Sequence, residues 1–269
     1  DESGLSVQHV VARSVRDTAA LLDVVRGPGA GDAAVAPPPS RPYAQEVGVP
    51  PGQLRVGLMT ISPTGPLDPE CERAVRDAGR LLESLGHVID ESHPDIDPEA
   101  GRRFMARWVV NCRLQILGLG NQLGREMTAQ DVEPLTWAMG SIADELRAVD
   151  LGQALSASAH FTRRLAAYWE DHDLLLTPTL GKLPPRIGEL EPPEADPFSN
   201  QHEVGVLVPF TTHFNVSGQP AISLPLHVSA SGLPVGVQLV AGYGREDLLI
   251  RIASQIEQAA PWSGRRPTI

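Results

Sequence analysis

The sequence has 269 residues, 42% of them hydrophobic and 20% charged, which suits one large or two small folded domains and excludes a disordered chain. No apolar run is long enough to span a membrane, and a formal net charge of -11 leaves no basic stripe for a phosphate backbone, so neither membrane nor nucleic acid is an expected partner. Cys71 and Cys112 are too few for a disulfide framework and lack zinc-ligand spacing. They fit a reducing, cytoplasmic setting, and the opening DESGLSVQHVVARS has no secretory pattern.

In chain order, Ser14 caps a helix over VRDTAALLDVV, with Asp17 as a capping-box-like acid and Val15, Leu22 and Val25 as its apolar face. GPGAGD and three prolines at 37–39 end it in a loop; the glycines Gly27, Gly29 and Gly31 follow a helix and so make a turn, not a dinucleotide loop. A strand is expected over 54–59. Asp68 and Pro69 open a helix whose positions Cys71, Val75, Ala78, Leu82 and Leu85 share one face, and Gly86 closes it. HVIDE at 87–91 reads as a short strand. Strand, helix, strand is the signature of an α/β layer with a largely parallel sheet.

Residues 98–172 change character to long helical patterns, over 104–123, from Thr128 or Glu133 to Val149, and over 151–169, which read as a helical subdomain inserted between sheet strands. DLLLTPT at 173–179 reads as a buried strand, and 183–209 as a long, proline-rich, acidic loop. Strands at 221–226 and 234–241 are joined by a turn carrying Ser231 and Gly232, and 245–260 forms a last amphipathic helix.

Familiar catalytic patterns are absent. There is no G-x-S-x-G elbow, and His202-Glu203 lacks the second histidine of a zinc protease. His93, Asp95 and Asp97 read as a solvated loop before a cation site, and the acidic run 170–173 as a solvated junction. In the segment 210–221, Phe210 and Phe214 surround the polar residues Thr211, Thr212, His213, Asn215 and Ser217 before Gly218-Gln219-Pro220 turns the chain sharply into a strand. Asn215 and Ser217 there satisfy turn backbone groups, or the segment is the wall of a substrate pocket with His213 and Phe214 facing ligand.

Four blocks in the same order resemble the amidase signature family: HVVARSVRDTAALLDVVRGPGAGD, LRVGL, DLLLTPT and the stretch from Phe210 to Ile252, in which FNVSGQPAISLP followed by GLPVGVQLV is the specific part. HVVARSVRD and VEPLTWA are similar to amidases acting on aryl amides and nylon cyclic oligomers. The resemblance implies an α/β fold built on a mixed, largely parallel sheet flanked by helices, with residues 1–269 as the C-terminal portion of one amidase domain. It implies hydrolysis of an uncharged amide through an acyl-enzyme, with no cofactor and no metal. In the family a serine attacks, a second serine preceded by a cis peptide relays the proton, and a neutral lysine acts as base, all ahead of the HVVARSVRD block. The single lysine, Lys182, lies in the proline-rich loop with no glycine- and serine-rich run beside it, so no catalytic residue transfers to this sequence.

What transfers is a pocket wall, made of Cys112 with its neighbours Trp108 and Asn111, and of the Thr211–Asn215 turn, with Thr211, His213, Phe214 and Asn215 as substrate-binding candidates. For Cys112 the plainer reading is a small core hydrophobe. The chain by itself is expected to be inactive, to expose a sheet edge and apolar faces, and to pair with the N-terminal portion of the same amidase. A homodimer is compatible with the same surfaces. A non-catalytic amidase-like binding module is the alternative.

Overall fold

Leu174–Pro178 is an apolar run interrupted only by Thr177, and all five residues are buried, as a strand covered on both faces must be. It is β3 in a computed structural model that describes residues 5–32, 35–96 and 100–266. The other strands are β1 (Arg55–Leu58), β2 (Val88–Asp90), β4 (Ala221–Val228) and β5 (Pro234–Ala241). The sheet order is β2-β1-β3-β5-β4; β1 runs parallel to β2 and β3, while β5 runs antiparallel to β3 and β4. The sheet is therefore mixed, with β3 the strand where parallel pairing gives way to antiparallel.

Alternation along the strands separates two cores. Val56, Leu58, Leu174, Leu176, Val237 and Leu239 meet α2 (Pro69–Ser84), α8 (Glu246–Ala259) and α1 (Val15–Val25). Leu175 and Val240 point the other way, to Phe161 and Leu165 of α5 (Ala148–Ala166) and Phe214 of α7 (Thr212–Ser217). Helices α3 (Ala100–Leu123), α4 (Pro134–Asp144) and α5 fill the stretch between β2 and β3, and α6 (Gln201–Leu207) precedes α7.

The caps are those the sequence encodes. The Ser14 hydroxyl accepts from the Asp17 N–H at 3.1 Å, the Asp68 carboxylate accepts from Glu70 N–H at 2.8 Å, and Gly86 ends α2 at φ +95°. The Asp17 carboxylate pairs with Arg16 instead of closing a capping box, and Val25 is exposed, so the buried face of α1 is Val15 and Ala19. The expected helix running to Val149 stops at Asp144, and α5 starts afresh at Ala148, where the Asp150 carboxylate accepts the Arg147 N–H at 3.0 Å. Residues 183–209 include the helix α6, and the expected Thr211–Asn215 turn is part of a turn and a half of helix, α7. Pro225 sits at a bulge of β4, an edge strand among the described residues, where a missing N–H costs no ladder bond.

Two local arrangements fix the layers. Gly57 faces the α5 side, where a Cβ would lie 1.6 Å from the Tyr168 hydroxyl and 2.6 Å from Ser92 Oγ. Behind the opposite layer, Glu46 is 1% exposed and accepts from Arg41 and from Arg251 of α8, each at 2.6 Å. The Arg41 hydrogen bonds, then that of Arg251, outweigh burial and hold the Glu46 carboxyl down at about 2.

Gly57→Ala is expected to destabilise the fold by about 1–3 kcal/mol in urea unfolding, with partial recovery when Tyr168→Phe is added; no recovery would remove the hydroxyl as the cause. Because its folded-state value lies below the ordinary 4.5, Glu46 contributes stability that is fully present above pH 4.5 and is lost as pH falls toward 2. Glu46→Gln should cost about 3 kcal/mol near neutrality and flatten the stability profile across that window.

Candidate functional site

The α5 side of the sheet carries the candidate site. Phe210 is 1% exposed, and its carbonyl accepts from Gln238 Nε2 of β5 at 3.3 Å; the same amide donates to Thr177 Oγ1 of β3 at 3.1 Å. A buried glutamine thus ties the entry to α7 onto the two central strands. Gly218 ends α7 at φ +78°, a left-handed cap, and Pro220 leads into β4.

On α7, His213 and Phe214 are buried while Thr211, at the helix start, and Asn215 are partly exposed. The His213 ring lies 6.0 Å from the Phe161 ring of α5 at an interplanar angle of 48°. Burial, only partly offset by a hydrogen bond to the Pro209 carbonyl, lowers the His213 value to about 4, so the imidazole is neutral at physiological pH. Asn215 Nδ2 donates to the Leu5 carbonyl at 2.7 Å, holding the segment ahead of α1 against α7. Helix α3 also packs on α7, which brings the helix carrying Cys112 to this face. Cys112 is a free, half-buried thiol, and burial raises its pKa, which keeps it protonated.

A hollow of about 330 Å³ opens beside this cluster, lined by Ala157, His160, Phe161 and Arg164. Phe161 is its link to His213. Helical spacing makes Phe161 and Leu165 legible as core residues, but nothing local marks Phe161 as the neighbour of a histidine 52 residues later.

Two serine hydroxyls are spent on structure here. Ser217 Oγ donates to the His213 carbonyl at 2.7 Å and Ser158 Oγ to the Ala154 carbonyl at 2.9 Å, both within their own helices. Lys182 Nζ donates to Glu203 Oε2 at 2.6 Å, outside this cluster. Sequence reasoning missed Ser92 Oγ, which lies 2.9 Å from His172 Nε2, with Asp90 Oδ2 3.1 Å from the same nitrogen. A proton relay needs the carboxylate on one ring nitrogen and the serine on the other, so this group is not a catalytic triad. Tyr168, stacked on His172 at 4.3 Å, instead makes it a polar clamp joining the β2 end to the α5 layer. Among the described residues no group of three or more His, Cys, Asp or Glu could hold a metal ion; Asp97 lies outside them. No helix among them is long and apolar enough to cross a membrane.

The sequence profile of the Amidase family matches residues 2–250. The chain belongs to the amidase family. It is 40% identical, over 279 aligned residues and 99% of its length, to the 6-aminohexanoate-cyclic-dimer hydrolase of Pseudomonas sp. (strain NK87), covering 56% of that protein. A solved structure of 6-aminohexanoate cyclic dimer hydrolase complexed with substrate superposes with a TM-score of 0.90 at 41% identity, over 95% of this chain and 55% of that one. A bacterial aryl acylamidase of the amidase signature family shares the fold, with a TM-score of 0.76 at 18% identity over 95% of this chain and 55% of that one. The chain thus spans about half the length of the relatives it matches.

The neutral His213 has a measurable consequence. Its folded-state value, about 4, lies below the ordinary 6.5, so the stability it contributes is present above pH 6.5 and is lost as pH falls toward 4. His213→Phe should remove most of the pH dependence of the unfolding free energy between pH 6.5 and 4.5, worth on the order of 3 kcal/mol in the unsubstituted chain, while leaving the step assigned to Glu46 below pH 4.5. An unchanged profile between those values would mean that His213 is not buried in neutral form.

Proposed function

We propose that the chain is the C-terminal portion of an amidase that hydrolyses an uncharged carboxylic amide, and that α7 with Cys112 of α3 forms one wall of its substrate pocket. The observation that carries this reading is the stretch from Phe210 to Ile252, which builds α7, the β4–β5 hairpin and the first half of α8 in a chain 40% identical to a hydrolase of a cyclic amide. Among amides, a cyclic or aryl amide suits this wall best, because Phe161, His213 and Phe214 offer ring surfaces and a neutral imidazole, not a charge.

The chemistry follows from the amidase resemblance. A serine hydroxyl adds to the amide carbonyl, the tetrahedral oxyanion collapses with departure of the amine, and water hydrolyses the resulting ester. The attacking serine, the relaying serine and the lysine base lie outside these residues in this reading. Lys182 is already bound to Glu203, and Ser158 and Ser217 to helix carbonyls. This chain's own share is to exclude water and orient substrate. Asn215, fastened to the Leu5 carbonyl, holds the wall; the protonated Cys112 thiol is lining and not nucleophile; the Thr211 hydroxyl supplies a polar contact to substrate.

The remaining portion of the amidase covers the apolar side chains that α3 leaves exposed, among them Trp108, Leu114, Leu117 and Leu123. The 269-residue chain is expected to show no hydrolysis of 6-aminohexanoate cyclic dimer or of an aryl amide. Fused behind the N-terminal portion of the Pseudomonas relative, it should hydrolyse at least one of them, and His213→Arg in the fusion should cost about tenfold or more in kcat/KM. Hydrolysis by the chain alone would overturn the assignment of the catalytic centre; a folded but inactive fusion would favour the non-catalytic module.

A further inference from the structure

The carboxyl ends of β1 and β3 frame a cleft that the reading above does not use. From β1 the chain passes through 59–68 into α2 and returns to β2, on one side of β1. From β3 it passes through 179–212 and on to β4 and β5, on the other side. Adjacent parallel strands whose connections leave in opposite directions open a crevice between them, the place where open α/β sheets bind ligands.

Here the crevice has a volume of about 390 Å³. Leu67, Leu183, Leu190 and Leu207 give it apolar walls. The walls are held by backbone bonds: Asp68 N–H donates to the Gly181 carbonyl and Gly181 N–H to the Leu207 carbonyl, each at 2.9 Å. Thr64 Oγ1 donates to the Gly205 carbonyl at 2.7 Å. A Cβ at position 181 would lie 2.4 Å from the Val206 carbonyl oxygen, so glycine is what lets α6 close against the exit from β3.

The polar lining is unbalanced. It holds three carboxylates, Asp68, Glu189 and Glu203, against the ammonium of Lys182, which leaves a formal charge of -2. Asp68 spends one oxygen on the Glu70 N–H and Glu189 one on the Arg186 N–H. Glu203 meets Lys182 Nζ at 2.6 Å. Lys182 is the only lysine of the sequence, and it lines the cleft with its ammonium on Glu203, so one carboxylate of the lining is already paired with an alkylammonium group supplied by the chain itself.

We propose that this cleft binds an aliphatic primary ammonium compound, with its alkyl chain among the leucines and its charge on the Glu203 and Glu189 carboxylates, and that Lys182 is a resident competitor for the same position. A carboxylate ligand would face three like charges and one cation that is already paired. The inference stands apart from amide hydrolysis: it needs only the cleft.

Isothermal titration of the 269-residue chain with hexylammonium chloride is expected to give saturable binding, and sodium hexanoate none. Lys182→Ala should tighten hexylammonium binding about fivefold by vacating Glu203, and Glu203→Gln should weaken it by about the same factor, the scale of one exposed ion pair. Both side chains are substantially exposed, and unchanged unfolding midpoints would exclude a folding defect as the cause. Absence of saturable binding, equal binding of hexanoate, or weakening by Lys182→Ala would each overturn the proposal.

Discussion

Burial of β3 on both faces is the constraint from which the rest of the molecule follows. A strand with no solvent-facing side must be covered twice, and its alternating side chains assign the covering: Leu174 and Leu176 to α1, α2 and α8, Leu175 to α5 and α7. Its backbone must be paired on both edges as well, which β1 does in parallel and β5 in antiparallel register. The α7 segment is positioned by the same strand, since Gln238 bridges the Thr177 hydroxyl and the Phe210 carbonyl. Removing either bond would leave a buried amide proton without a partner, so the helix carrying His213 cannot shift without a cost to the central sheet.

Much of this architecture is legible in the sequence because the repeat lengths are long enough to be seen. The β3 run, the β4–β5 hairpin and the helices α1, α2, α3 and α8 declare themselves through periodicity and through the caps Ser14, Asp68 and Gly86. The short helices do not. Seven residues in α6 and six in α7 are too few to establish a 3.6-residue period, and glycine, proline and polar residues around them suit turns equally well. The break between α4 and α5 depends on a single acid, Asp150, turning back to the Arg147 N–H, inside a stretch that reads as helix on either side.

The candidate site stands out in composition but not in geometry. The pairing of aromatic and polar residues over 210–217 marks a special segment, yet its meaning comes from partners far away in sequence: Phe161 beneath His213, and the Leu5 carbonyl on Asn215, 210 residues distant. Gly57 is a similar case. In the sequence it is a weak spot in a strand; in the structure it is the space that admits the Tyr168 hydroxyl and so sets how closely the α5 layer approaches the sheet.

The wiring of the sheet also orders events in time. The Arg55 N–H meets the Asp173 carboxylate across 118 residues, and α1 meets α8 through Val15 and Glu257 across 242. Helices α3, α4 and α5, by contrast, pack on near neighbours in the chain. Closing long loops is slow, so the helices assemble first and the β1–β3 ladder late. Until that ladder closes, LLLTP is an apolar strand with its β1 edge unpaired, and it is the segment through which one nascent copy would associate with another. The strand that organises the finished molecule is the one that most endangers it while it forms.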